Sequence, residues 1–77
     1  MMRIQDAISK LIKDNGLKKA EFARRLNVSP QALNGRLTQE GIGINCVAEM
    51  VEKLNYRVVL IPDTAKLPAG SIEVTFE

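Results

Sequence analysis

Four consecutive residues, Asn27-Val28-Ser29-Pro30, constrain this chain more than any others, because they stop one helix and start another with almost no linker. Asparagine tolerates the left-handed backbone that turns a chain away from a helix, since its short amide can bond locally. Ser29 offers a hydroxyl to the orphan amides that open a helix, and Pro30 suits the first helical position, where its missing N–H is not needed. Apolar residues repeat at helical spacing on both sides: Phe22, Ala23 and Leu26 before the joint, Leu33 and Leu37 after it. Ala23 is small where two such helices must cross closely. The expectation is one helix from Lys18 to Leu26 and a second from Pro30 to Thr38, packed across a tight turn.

Upstream, Ile4, Ala7, Ile8, Leu11 and Ile12 fall on the i, i+3, i+4, i+7, i+8 stripe of an amphipathic helix running from Arg3 to Asp14. Asn15-Gly16 ends it, with glycine free to adopt the left-handed cap. Downstream of a flexible Gly41-Ile42-Gly43 connector, Ile44, Val47, Ala48, Val51 and Leu54 mark a fourth helix ending near Asn55.

The period then changes. Tyr56 to Ile61 is β-branched and aromatic, and Pro62 closes it. Residues 72–77 alternate apolar and polar side chains, as a strand with one buried face does. These two segments are expected to pair antiparallel. The loop from Pro62 to Gly70, nine residues, is long for a hairpin. Val58, Val59, Leu60 and Ile61 are apolar on both faces, and a two-stranded ribbon is marginal alone. Either the loop folds back over the sheet or the strands meet those of a second chain. The second is favoured, so Val58, Val59, Leu60, Ile61, Ile72, Val74 and Phe76 are candidate homodimer contacts. The fold class expected is mainly α, four to five short helices with a C-terminal two-stranded antiparallel segment. Residues 1–55 form the helical part and 56–77 the strands of one compact domain.

Seventy-seven residues lie near the lower limit for folding on a hydrophobic core without staples. The single cysteine, Cys46, excludes an intramolecular disulfide, and the absence of histidine removes the usual zinc spacings. Both suit a reducing cytoplasm. No run reaches the roughly 18 apolar residues of a membrane span, and the first residues lack a signal-peptide core. No metal or cofactor is expected. An enzyme is not expected either: no nucleophile has a visible base, and Asp6, Asp14, Glu21 and Glu40 form no evident pair. The net charge of +2 is divided unevenly. Residues 1–40 carry eight basic and four acidic side chains, whereas 41–77 carry three and five. The basic half holds the two-helix joint, a bias that suits contact with phosphates.

Taken together, residues 16–34, from Gly16-Leu17-Lys18-Lys19 through Val28-Ser29-Pro30-Gln31-Ala32-Leu33-Asn34, resemble the helix-turn-helix of the Cro and phage-repressor (XRE-type) family. The likeness extends over residues 1–55. A helix ending Leu54-Asn55-Tyr56 and followed by Arg57-Val58-Val59-Leu60 is similar to a phage-like or mobile-element subset with a short C-terminal β-segment. The resemblance implies a lambda-repressor-like helical bundle and a transcriptional regulator, a repressor, that binds double-stranded DNA as a homodimer on an inverted repeat. Its third helix would enter the major groove.

On that reading Gln31 and Asn34 have the donor-acceptor pairs that read adenine, and Ala32 packs on a thymine methyl. Ser29 and Pro30 open the helix at the groove, Ser29 toward a phosphate, and Gly35 removes bulk so that backbone can approach. Arg36 reaches phosphates at the edge. Three residues depart from the family pattern: Asn27 replaces the usual turn glycine, Arg36 occupies an apolar slot, and Lys18 stands where Ser or Thr normally caps. A lysine there costs stability unless a phosphate binds at the same end, so Lys18 and Lys19 are assigned to the DNA backbone. Each of these residues also has a plain reading as solvated surface. The competing function is an antitoxin-like or accessory module whose C-terminal strand extends the sheet of a toxin or other protein partner.

Overall fold

The computed structural model describes residues 1–39 and 41–76. Along the chain run a short strand β1 (Met2–Arg3), helices α1 (Ile4–Asp14), α2 (Lys19–Arg25), α3 (Pro30–Thr38) and α4 (Ile44–Glu52), and a short strand β2 (Val74–Thr75). The fold is mainly helical, as the apolar periodicity requires. Glu40 and Glu77, which entered the carboxylate and strand expectations, lie outside the described residues.

Three helices end by the same device. Gly16, Asn27 and Asn55 have φ of 70°, 60° and 64°. In each case the residue after the left-handed one donates its N–H five positions back, Leu17 to Ile12, Val28 to Ala23 and Tyr56 to Val51, at 3.1, 3.0 and 2.9 Å. The left-handed residue itself donates three positions back, to Lys13, Arg24 and Glu52. This double closure satisfies carbonyls that a helix end otherwise leaves to water. Leu17 and Val28, the residues just past two of these ends, pack on the core. At Asn27 the closure is what makes the α2–α3 joint tight, and asparagine supplies it in place of glycine.

The core is a single cluster. Ile8, Ile12, Phe22, Leu33, Met50, Leu54 and Val47 are fully buried, and α1 packs against both α3 and α4 while α2 packs against α3. The expected stripe of α1 is buried throughout. On α4 the buried face is rotated from the expected one. Met50 is inside with Val47, Val51 and Leu54, while Ile44 and Ala48 face outward. Ile42, in the connector, is buried instead. Glycines on both sides let the chain turn that side chain inward, Gly41 with φ of 66°, and Ile42 fills the space that Ile44 does not reach.

The antiparallel pairing of residues 56–61 with 72–77 does not occur. β2 pairs with β1, in parallel, with Met2 opposite Val74 and Arg3 opposite Thr75. Residues 56–61 form no strand. The reason is burial. A hairpin would leave the apolar face of 72–76 in water, whereas returning to the helical body places Ile72 and Val74 against the core and uses the exposed backbone just before α1. The long connection is two turns, closed by Ala65 N–H to the Pro62 carbonyl and Ser71 N–H to the Pro68 carbonyl. Gly70, with φ of 84°, takes the third position of the second turn, where type II geometry demands it. Among the described residues no helix is long and apolar enough to cross a membrane.

Candidate functional site

α3 is the element whose outer surface carries unexplained chemistry. Leu33 and Leu37 anchor it from below. Ser29 accepts the Ala32 N–H at 3.0 Å, so its oxygen does the capping expected of it while the hydroxyl proton stays available outward. Pro30, Gln31, Ala32, Asn34 and Gly35 are all exposed. With 3.6 residues per turn, Gln31, Ala32 and Gly35 lie opposite the buried leucines and Asn34 lies toward one edge. The side-chain amides of Gln31 and Asn34 have no hydrogen-bond partner among the described residues. Donor-acceptor groups are thus presented side by side on the first turns of an anchored helix.

Gly35 sits in the middle of that face. A Cβ placed there meets no atom within 4 Å, so nothing among the described residues requires glycine. In a helix interior glycine costs about 0.5–1 kcal/mol relative to alanine. Gly35→Ala is therefore expected to raise stability by about that amount, read as a higher urea midpoint at unchanged slope.

The C-terminal end of α3 is held from two sides. Arg36 turns onto α4: its guanidinium lies 3.8 Å from the Glu49 carboxylate, partly buried. Leu37 keeps its place in the core, so α3 still reaches Thr38. Arg36, assigned above to phosphates at the edge of the site, thus stands partly exposed beside an acidic side chain, with no hydrogen bond joining the two. From the other side Gln5, 2% exposed, donates its amide to the Gln39 carbonyl at 2.8 Å. Its own oxygen is buried without a partner. Sequence reasoning passed over Gln5, although it is three residues before Ile8 and seven before Ile12, on the buried side of α1. A polar side chain at core spacing was the available signal.

Lys18 is the residue before α2 and makes no side-chain cap. Glu21 supplies half of a capping box, accepting the Lys18 backbone N–H at 3.4 Å. An ammonium has no lone pair with which to return the bond. Lys18, Lys19, Arg24 and Arg25 are exposed and form no ion pair among the described residues. An ion pair of exposed side chains lies elsewhere, Lys10 with Asp14 at 2.8 Å, and the Asp14 carboxylate holds the Lys10 ammonium above its ordinary value.

The apolar residues assigned to self-association separate into two groups. Val58, Val59, Leu60, Ile61 and Phe76 are exposed, Leu60 at 96%. Ile72 and Val74 pack on the chain's own core. Cys46 is a half-buried free thiol on α4, and no three Cys, Asp or Glu side chains gather as metal ligands among the described residues.

No protein-family model matches the chain, and the searches of curated proteins and of solved structures likewise give no match.

Proposed function

We propose that the protein is a sequence-specific double-stranded DNA-binding regulator of the Cro and phage-repressor type, cytoplasmic, non-catalytic, and acting as a homodimeric repressor on an inverted repeat. The observation that carries this reading is the outer face of α3: Gln31, Ala32, Asn34 and Gly35 exposed, with the two amides unpartnered, on a helix fixed by buried leucines at one side and capped at its start by Ser29. Gln31 and Asn34 read base edges, and Ala32 contacts a methyl group. Gly35 allows close approach, so Gly35→Ala lowers affinity for the operator while raising stability. Lys18 and Lys19 neutralise phosphates, which accounts for an uncapped lysine at the start of α2. Arg24 and Arg25 add to the positive potential of this half. Arg36, beside Glu49 of α4 and partly exposed, borders this face at the end of α3.

The exposed run 58–61 favours a second reading, an accessory module that adds its strand to a toxin or other protein partner. Salt separates the two. DNA binding releases counterions, so log affinity falls linearly with log salt, by about 0.9 for each phosphate neutralised. Strand addition through apolar side chains responds little. Binding to a random duplex library is expected at low salt, and Lys19→Ala is expected to reduce the slope by about 1 while weakening all sequences alike. Absence of any duplex binding at low salt overturns the DNA reading.

A further inference from the structure

Residues 56–71 leave the body as an arm fastened at both ends. Tyr56 is tied to Val51 through its N–H, and β2 is tied to β1. Between these fastenings the arm stands away from α1 and α4 and leaves a groove of about 710 Å³, walled by Ile4, Ile8, Ile44 and Val51 on the body and by Val58 and Ile61 on the arm. The radius of gyration, 12.6 Å, slightly exceeds the roughly 11.5 Å expected of a compact chain of this length. Among the described residues, the backbone N–H and carbonyl groups of residues 57–61 have no backbone partner. An apolar, β-branched segment with its backbone groups unpaired and alternate side chains in water has what a strand needs except a neighbour.

We infer that residues 57–63 pair antiparallel with the same residues of a second copy, in a register centred on Leu60. The inference rests on the homodimeric part of the reading above and not on DNA. Two features select the register. Arg57 and Asp63 lie three residues before and three after Leu60. Pairing Leu60 with itself sets Arg57 of each chain beside Asp63 of the other, twice over, and opposite charges directly across a ladder are stabilising. No other two-fold register of this segment places them together.

The second feature is Pro62, which has no N–H to give. In an antiparallel ladder alternate residues turn both backbone groups toward the neighbour and the intervening ones turn them away. With Leu60 in a non-hydrogen-bonded pair, residues 57, 59, 61 and 63 face the second copy, while 58, 60 and 62 face away. Proline then falls where its missing donor costs nothing. Asp63 is the last residue to pair, because there the chain enters the turn closed by the Ala65 N–H on the Pro62 carbonyl. The pairing covers Leu60, the most exposed side chain of the run, and brings the second copy's apolar residues to the mouth of each groove.

Disulfide trapping tests the register on the full chain, without DNA, in a Cys46→Ala background. Leu60→Cys places the two sulfurs on the two-fold, with Cα atoms about 4.5 Å apart, inside the bonding window. Val59→Cys puts them about 7–8 Å apart on the diagonal, and Val58→Cys roughly 14 Å apart. Cross-linking under mild oxidant is expected to be fast at position 60, at least about tenfold slower at 59 and absent at 58. Sedimentation gives the independent measure. Arg57→Asp is expected to weaken the dimer about tenfold, since it creates two like-charge pairs, and adding Asp63→Arg restores it. Arg57, Val58, Val59, Leu60 and Asp63 are all exposed, so replacing them leaves the fold intact, and the half-buried Cys46 is replaced identically in every cross-linking variant. A dimer that traps equally at 58, 59 and 60, or that ignores the charge reversal, overturns the register while leaving the homodimer standing. A monomer at every concentration overturns both, and leaves the DNA reading of α3 to its own salt test.

Discussion

Phe22→Ala is expected to cost about 3–5 kcal/mol of stability, at the upper end for truncation of a core side chain. A domain of this length has a total stability of about 4–12 kcal/mol at 0.05–0.15 kcal/mol per residue, so the variant is close to unfolding at room temperature. Phe22 is 0% exposed. It sits on α2, the helix that packs on α3, and the chain has few large side chains able to refill the space. Its other aromatic residues, Tyr56 and Phe76, are exposed. The cavity therefore stays open, which is the condition under which truncation is most damaging. Urea unfolding followed by far-ultraviolet circular dichroism checks it: with a slope near 1 kcal/mol/M, the midpoint falls by about 3 M or more. A loss below about 1 kcal/mol is incompatible with Phe22 as a filled centre of the core.

The same truncation at Leu60 has little to act on within one chain, because Leu60 is almost entirely in water. The contrast between these two residues reflects the organisation of the protein. The first 55 residues bury their apolar side chains among themselves, and the arm does not. That difference also decided what was legible in the sequence. Helix ends were readable where the chemistry is local: Gly16 and Asn27 take positive φ because one is glycine and the other asparagine, and both sit at the end of an apolar stripe. The buried stripe of α1 and the anchors of α2 and α3 followed from period alone. The face of α4 did not. Ile44 and Ala48 lie at helical spacing with Val47 and Val51, and only the position of Ile42 in three dimensions decides that Met50 goes inside.

The strands were misjudged for a related reason. Alternation in residues 72–76 correctly marked one buried face, since Ile72 and Val74 do pack inward. Alternation names no neighbour, however, and proximity in sequence points to residues 56–61 as the partner. The available edge was instead the extended backbone before α1, some seventy residues away. At the candidate site, the outward residues of α3 were readable because Leu33 and Leu37 fix which side faces water. Arg36 was not, because its partner Glu49 lies on another helix. Gln5 was missed because its hydrogen bond to Gln39 spans 34 residues. Properties set within one helical turn were visible in the chain; those set across helices were not.

Gln31→Ala is expected to leave stability within about 0.5 kcal/mol of the parent, as an exposed substitution without a lost partner does. Its effect is expected in recognition. A bidentate amide at a base edge is worth about 1–3 kcal/mol of discrimination, so the variant loses roughly 5- to 150-fold of preference at one base-pair position of each half-site. The other positions keep theirs. Competitive titration of duplexes selected from a random pool, each altered at a single base pair, measures this directly. Lys19→Ala supplies the comparison, because a phosphate contact carries no sequence information and its removal shifts every duplex together. The two variants differ in form as well as in size: one changes a single column of the binding profile, the other lowers the whole profile and flattens its salt dependence. A uniform loss from Gln31→Ala removes Gln31 from base readout and leaves α3 as a backbone-contacting helix. A loss confined to one position ties the unpartnered amide on the outer face of α3 to a base edge. Ser29 then has a further use, because a cap that fixes the first turn of α3 also fixes the angle at which the Gln31 amide meets that base.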